Sequence, residues 1–367
     1  MKITRIQIAE CRIPLPKVLT LGTTQIRTRD YVALRVETDA GLSGEALGYT
    51  RGTPLYAALE MVAPRLLGRD PVMRGDLIAS LENSNVPGRA AFTRSNSLLD
   101  IACWDITAKQ AKMPLFRLLG GLRTEATATA VAGYYMDLRT IDDIVDEVAK
   151  LFDCGYSRVK FMLNGNDAEF DRRYVAAVMR KPPGPVAADA HWSWASLTEA
   201  KRFCRDMDAY GLDFLEDPFP ASDWQLTHEL QRSMATPIAA GEDVLGTRAL
   251  RDLAAGVGIL RVDATTCGGV TGAVEAIHHA QGAGKSVFPH VWAPLHLHLA
   301  CAFPSIDGVE VVPENTGADP LEQLLHVIPR LQQGRMKASE EPGAGVVLNW
   351  ESIEKLAQRT AVVSAEK

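Results

Sequence analysis

The chain has 367 residues, 47% of them hydrophobic and 23% charged, the balance of a globular protein with room for one large domain plus a smaller one. A net charge of −6, with acids and bases interspersed, excludes the basic surfaces that attract nucleic acid or an anionic membrane. No apolar run is long enough to cross a bilayer, and "MKITRIQIAECRIPLP" alternates like a strand without the continuous apolar core of a signal peptide. The six cysteines, at 11, 103, 154, 204, 267 and 301, form no CxxC pair and read as reduced thiols, so a cytoplasmic location is expected.

In chain order, three strand-like pieces come first: "KITRIQIAECRIPL", "YVALRVET" and "GLSGEALGY". The "DAG" joining the last two is a hairpin signal, and "TLGTTQIRTR" between the first two reads as a polar loop. Helical patterns fill residues 55 to 118 and end at a glycine pair. Residues 1–125 therefore read as an α+β domain. From about 126 the rhythm becomes strand then helix, repeated through "TATAVAGYY", "RVKFML", "PVAADAH", "LDFLEDP", "PIAAGED", "ILRVDAT", "SVFPHVW" and "GVEVVPE". Between them lie amphipathic segments such as "TIDDIVDEVAKLFDCG", with Ile141, Ile144, Val145, Val148 and Leu151 at helical spacing. Eight such units fit a closed TIM-like (β/α) barrel over 126–329, an α/β architecture, better than an open doubly wound sheet. No GxGxxG or P-loop follows any strand. The turn-rich end, 330–367, is expected to return to the first domain.

Chemistry in such barrels sits at the C-terminal strand ends. Those ends carry Lys160, Asp189 with His191, Glu216, Glu242, Asp263, His290 and Glu310. Asp189 and His191 are two apart, so in a strand they share a face. Asp189, Glu216 and Glu242 close three successive units. Carboxylates converging there repel unless a hard cation such as Mg²⁺ sits among them. Asp217 and Asp243 are alternative ligands, since strand alternation lets only one of each adjacent pair face inward.

The motifs "DAH", "FLEDP", "AAGED", "RVDATTCGGVTG" and "FPH", with "IACWDITAKQAKMPLFRLLGG" before them, resemble the enolase superfamily in its mandelate racemase-like subgroup, over essentially the full length. The resemblance implies a barrel capped by a domain built from the N-terminal region and the C-terminal tail. It implies Mg²⁺ held by Asp189, Glu216 and Glu242, an Asp263–His290 general base dyad, and Glu310 hydrogen-bonding the substrate carboxylate. It also implies a homo-oligomer, dimeric or octameric. The chain departs from the racemases in "KFM": Lys160 is present, but Met162 stands where they carry a second lysine, and a thioether carries no proton at neutral pH. Strand six also lacks a lysine, unlike the lactonising branch. The Asp-x-His of Asp189 and His191 is similar to the sugar-acid dehydratases of the subgroup.

The expected reaction is dehydration of a sugar acid, an aldonate or aldarate. His290 takes the α-proton, Lys160 and a protonated Glu310 bracket the carboxylate, and His191 or His290 gives a proton to the departing 3-hydroxyl. The product is a 2-keto-3-deoxy acid. The alternative is a racemase or epimerase of a 2-hydroxy acid using His191 and His290 on opposite faces. His296 and His298 read as packing residues, Trp192 and Trp194 as site walls or packing. Arg27, Arg29, Tyr49 and Arg51 are candidates to cover the barrel mouth.

Overall fold

The computed structural model describes residues 1–21, 24–83 and 86–364. The N-terminal alternation becomes an antiparallel sheet of β1 (Ile3–Leu21), β2 (Thr24–Thr38) and β3 (Ser43–Tyr49). Its inward residues, among them Ile6, Ile8, Tyr31, Leu34 and Val36, are fully buried. Against this sheet pack α1 (Leu55–Val62) and α3 (Arg89–Gln110), and α2 (Arg74–Asn83) and the single turn α4 (Leu115–Leu118) pack on α3.

The polar stretch expected to be a loop is instead the far end of a long hairpin. Leu19 pairs with Ile26, Thr20 with Gln25 and Leu21 with Thr24, while Gly22 and Thr23 lie outside the described residues. Leu19 and Leu21 are buried in an apolar cluster with Val131, Tyr134 and Met162. That burial, invisible in the local pattern, keeps a polar stretch extended.

The repeating units form eight parallel strands: β4 (Glu125–Ala132), β5 (Arg158–Met162), β6 (Val186–Asp189), β7 (Leu215–Glu216), β8 (Ile238–Ala240), β9 (Ile259–Val262), β10 (Ser286–Pro289) and β11 (Gly308–Val311). Helices α5 (Ile141–Asp153), α6 (Ala168–Val178), α7 (Leu197–Cys204), α8 (Trp224–Gln231), α9 (Thr247–Ala254), α10 (Gly269–Gly282) and α11 (Ala293–Ala302) connect them. β11 pairs with β4, and a bridge from Val287 to Ile306 joins β10 to the approach of β11. The sheet thus closes on itself. α5 shows how sequence sets an element: Thr140 and Asp143 form a reciprocal capping box, and Ile144, Val148 and Leu151 are its buried stripe.

Inside the barrel, Ala187, Phe214, Ala239 and Phe288 make an apolar plug. Ala187, Phe214 and Phe288 stand two residues before Asp189, Glu216 and His290, so period-two alternation lifts the polar residues onto the layer above.

The C-terminal segment returns in two stages. β12 (Leu331–Gln332) and β13 (Arg335–Lys337) form a hairpin along β4. Beyond it, Leu348 N and Trp350 Nε1 donate to the buried Glu45 carboxylate at 2.8 and 2.7 Å. After α12 (Trp350–Leu356), β14 (Ala357–Ser364) adds an edge strand to β1. Among the described residues, no helix is long and apolar enough to cross a membrane.

Candidate active site

A cavity of about 360 Å³ opens between the barrel mouth and the cap, lined by Lys160, Asp189, His191, Glu242, His290 and Glu310 from strand ends and by Arg29, Tyr49 and Arg51 from the cap. The volume suits a small-molecule substrate. Arg27 is exposed and does not line it.

His290 is the best-defined group. Its Nδ1 donates to Asp263 Oδ2 at 2.8 Å, and Arg51 Nη2 donates to its Nε2 at 2.9 Å. These contacts fix the tautomer: the proton is on Nδ1 and the lone pair on Nε2 faces the cavity. Asp263 also accepts from Thr265 N and Oγ1 at 2.7 and 2.8 Å. Although burial favours its neutral acid, these hydrogen bonds and the His290 contact hold it below the usual carboxylate range.

Beneath the cavity, Lys160 Nζ lies 3.0 Å from Asp189, 2.9 Å from Glu216 and 2.7 Å from Glu310. Burial alone would lower its pKa, but these three carboxylates raise it well above the ordinary value. Arg261, fully buried, reaches Glu216 at 3.0 Å, Glu242 at 3.2 Å and Glu310 at 2.6 Å. The sequence reading missed this residue. The signal was present in "RVD", where Arg261 stands two before Asp263 and so shares its inward face.

Glu310 departs from expectation. Burial favours protonation, yet Arg261 and Lys160 pull its pKa down to about 2. It is therefore ionised, accepts from Val291 N at 3.1 Å, and steers the two cations instead of donating a proton.

Nor does alternation separate Glu216 from Asp217. The strand has ended at Asp217, whose φ of +39° turns its side chain back, so Glu216, Asp217 and Glu242 bring ligand atoms within 4.8 Å of one another. Asp189 lies outside that cluster, its Oδ2 3.0 Å from Lys160 Nζ and its Oδ1 accepting from His191 N at 2.9 Å. Asp243 is drawn off by the cap, 2.9 Å from Arg51 and 2.6 Å from Arg94.

The donor set fits a hard divalent cation. Glu216 is fully buried; its Oε1 meets Lys160 and Arg261, and its Oε2 has no hydrogen-bond partner among the described residues. Burial, then Glu242 and Asp189, raises the Asp217 pKa well above normal, the mark of a carboxylate lacking positive charge. Oxygen-only donors in that state suit Mg²⁺.

His191 lines the same cavity in a left-handed conformation with φ +45°, its ring 4.3 Å from that of Trp192. Burial lowers its pKa, partly opposed by Asp189. Among the described residues its imidazole takes no hydrogen bond. Trp194 is buried against Phe203. His296 and His298 are packing residues: Ala264 N and Phe116 N donate to them at 3.2 and 3.1 Å.

Residues 3–120 match the mandelate racemase / muconate lactonizing enzyme N-terminal domain, and residues 143–352 the enolase C-terminal domain-like family. The chain belongs to this family of enzymes in the enolase superfamily. Among its relatives, the L-talarate/galactarate dehydratase of Salmonella typhimurium is 28% identical over 92% of this chain and 82% of its own length. The N-succinyl-L-Arg/Lys racemase of Bacillus cereus is 21% identical over 97% of this chain and 98% of its own. The crystal structure of L-talarate dehydratase from Polaromonas sp. JS666, complexed with Mg and L-glucarate, superposes with a TM-score of 0.89 at 26% identity, covering 100% of both chains.

Proposed function

We propose that this enzyme is a Mg²⁺-dependent dehydratase of a sugar acid, an aldonate or aldarate, forming a 2-keto-3-deoxy acid. The carrying observation is the 2.8 Å Asp263–His290 pair in one cavity with His191, while Met162 ends β5 in place of a second cation. Dehydratases among the sugar-acid relatives, and magnesium in the Polaromonas structure, support the same reading.

Asp189, Glu216 and Glu242 would hold the ion. When bound, it supplies Lewis-acid stabilisation of the negative charge developing on the substrate carboxylate. Lys160, kept protonated by its three carboxylates, binds that carboxylate from below. Glu310, ionised, holds Lys160 and Arg261 in place. His290 Nε2 takes the α-proton as Asp263 stabilises the resulting imidazolium. The electron pair left by that proton forms the carbon–carbon double bond as the C3–O bond breaks. The departing hydroxyl takes a proton, from His191 in this reading, and leaves as water. The enol then tautomerises to the 2-keto acid.

A racemase would use the same two imidazoles on opposite faces of the α-carbon. The reading favours elimination because the usual second carrier is replaced by Met162. A screen of sugar acids with Mg²⁺, detecting 2-keto product by semicarbazide, tests it. Formation of a keto acid is expected; accumulation of a 2-epimer with no keto acid overturns it.

A further inference from the structure

The two halves of the dyad stand on different elements. Asp263 follows β9 and His290 follows β10, each where the strand has ended and pairing no longer fixes the chain. Between these two turns lies a further imidazole, that of His296 in the first turn of α11, fully buried. Ala264 N, the neighbour of Asp263, donates to its Nε2 at 3.2 Å. Its Nδ1 donates to the oxygen of Val291, the neighbour of His290, at 2.8 Å. A backbone N–H can only donate and a carbonyl can only accept, so the ring is neutral with its proton on Nδ1. Burial lowers its pKa, which keeps it so.

The turn that His296 grips is strained. Val291 and Trp292 have φ of +38° and +46°, a region in which a β-branched residue is an outlier and which persists only where neighbours hold it. Glu310 holds Val291 by its N–H at 3.1 Å and His296 holds it by its carbonyl. On the other side, Thr265 secures the Asp263 carboxylate, while His296 secures the next backbone N–H, that of the fully buried Ala264. Without the imidazole, both buried groups lose these partners, at a cost that favours movement of the turns.

We propose that His296 is a positioning residue, whose neutral imidazole ties the turn after β9 to the turn after β10 and so sets the 2.8 Å Asp263–His290 hydrogen bond. This rests on the preceding reading in taking His290 as the base. His296 does not line the cavity, so it acts through the dyad and not on the substrate.

Three substitutions take the bridge apart. In His296→Gln the amide oxygen can replace Nε2 as acceptor for Ala264 N. In His296→Asn the amide nitrogen can replace Nδ1 as donor to Val291 O. His296→Phe fills the space and makes neither bond. His298→Phe is the control, because His298 lies on the same helix, equally buried, and accepts from Phe116 N, remote from the dyad.

The first measurement is proton NMR of the full chain with Mg²⁺, following the downfield resonance of His290 Nδ1–H in its bond to Asp263, assigned by its loss in His290→Asn. His296→Phe is expected to shift it upfield or erase it, the Gln and Asn variants to move it part of the way, and His298→Phe to leave it in place despite a lower Tm. The second is steady-state kinetics on a sugar acid that the parent converts. There His296→Phe should lower kcat roughly ten- to a hundred-fold, the scale of a small misplacement of a catalytic group, and change KM by less than about threefold. A resonance unmoved in His296→Phe, moved equally in His298→Phe, or absent from the parent overturns the proposal. If His296→Phe does not fold, the Gln and Asn variants decide alone; failure of all three to fold assigns His296 to packing and overturns it too. The expected resonance pattern with no sugar acid converted defeats the dehydratase reading and leaves this one standing. Keto acid formed by a parent whose resonance is indifferent to His296 does the reverse.

Discussion

Arg51 Nη2 donates to His290 Nε2 across 2.9 Å, so a side chain of the cap rests on the lone pair of the barrel's candidate base. The same guanidinium lies 3.1 Å from Glu242 and 2.9 Å from Asp243, and Arg94 of α3 holds Asp243 from behind at 2.6 Å. Cap and barrel therefore meet through an ion network that ends on Nε2 of the candidate base. The cap–barrel contact and the surroundings of the candidate base are linked in this arrangement.

Arg51→Met keeps the length and removes the charge. It is expected to lower kcat/KM by roughly ten- to a hundred-fold and stability by about 1–3 kcal/mol, since Glu242 and Asp243 lose a buried partner. Steady-state kinetics beside thermal unfolding check this. Lost stability with unchanged kcat/KM would make Arg51 a clamp and nothing more.

Magnesium should stabilise the fold as well as support turnover. The carboxylates of Asp189, Glu216, Asp217, Glu242, Asp243 and Glu310 outnumber the cations Lys160, Arg51, Arg94 and Arg261 set among them. At a hundred times its Kd, a bound ion adds about 2.7 kcal/mol, visible as a rise in Tm. Glu216→Gln should shrink that rise, because the neutral amide removes a negative charge from the site and leaves a single oxygen donor. A Tm indifferent to Mg²⁺ in the parent protein would count against the site.

For the dyad, His290→Asn is expected to cost at least roughly a hundred- to ten-thousand-fold in kcat, the range of a general base. Asp263→Asn should also be severe, since an amide no longer fixes the Nδ1 proton. Single-turnover rates measure both. Near-normal chemistry in either variant would move the base elsewhere.

The strand ends were legible because two simple rules coincide there. One polar residue closes each βα unit, and a residue two earlier packs the barrel, as Phe288 does below His290. What escaped was set by the third dimension. Asp217 escaped because alternation stops where its φ becomes positive. The Glu310 proton was misassigned because Arg261, whose charge decides it, was read as part of a hydrophobic strand. The β1–β2 hairpin end looked like a loop because its apolar partners, Val131 and Met162, lie more than a hundred residues away in sequence.

His298 predicts a pH effect on stability remote from the chemistry. It is fully buried beneath α4, its Nδ1 accepting from Phe116 N at 3.1 Å, and burial lowers its pKa to about 4. Between that value and the usual 6.5, the unfolded chain binds a proton that the native one refuses. Its contribution is thus fully present above pH 6.5 and is lost as pH falls towards 4. The loss by pH 5 is about 2 kcal/mol. Urea unfolding of His298→Asn, whose amide oxygen can still accept from Phe116 N, should show a smaller loss between pH 7 and 5 than the parent protein. Identical slopes would show that His298 titrates alike in both states.

His191 separates elimination from racemisation. It follows the end of β6, two residues beyond Asp189, whereas His290 follows β10 on another part of the mouth, and both line one cavity. If His290 takes the α-proton and His191 protonates the leaving hydroxyl, the two steps separate in a variant. His191→Asn should then lose keto acid formation while still exchanging the α-proton with solvent, because the Asp263–His290 pair at 2.8 Å is untouched. A racemase predicts the opposite pattern: each imidazole serves one face, so removing His191 would stop exchange of one enantiomer and leave no elimination to lose. NMR of substrate and product in D₂O distinguishes these outcomes directly. Deuterium at the α-carbon of unconverted sugar acid, with no 2-epimer and no keto acid, is the expected spectrum of His191→Asn. Appearance of the 2-epimer as the main product of the parent protein would assign the two histidines to racemisation instead.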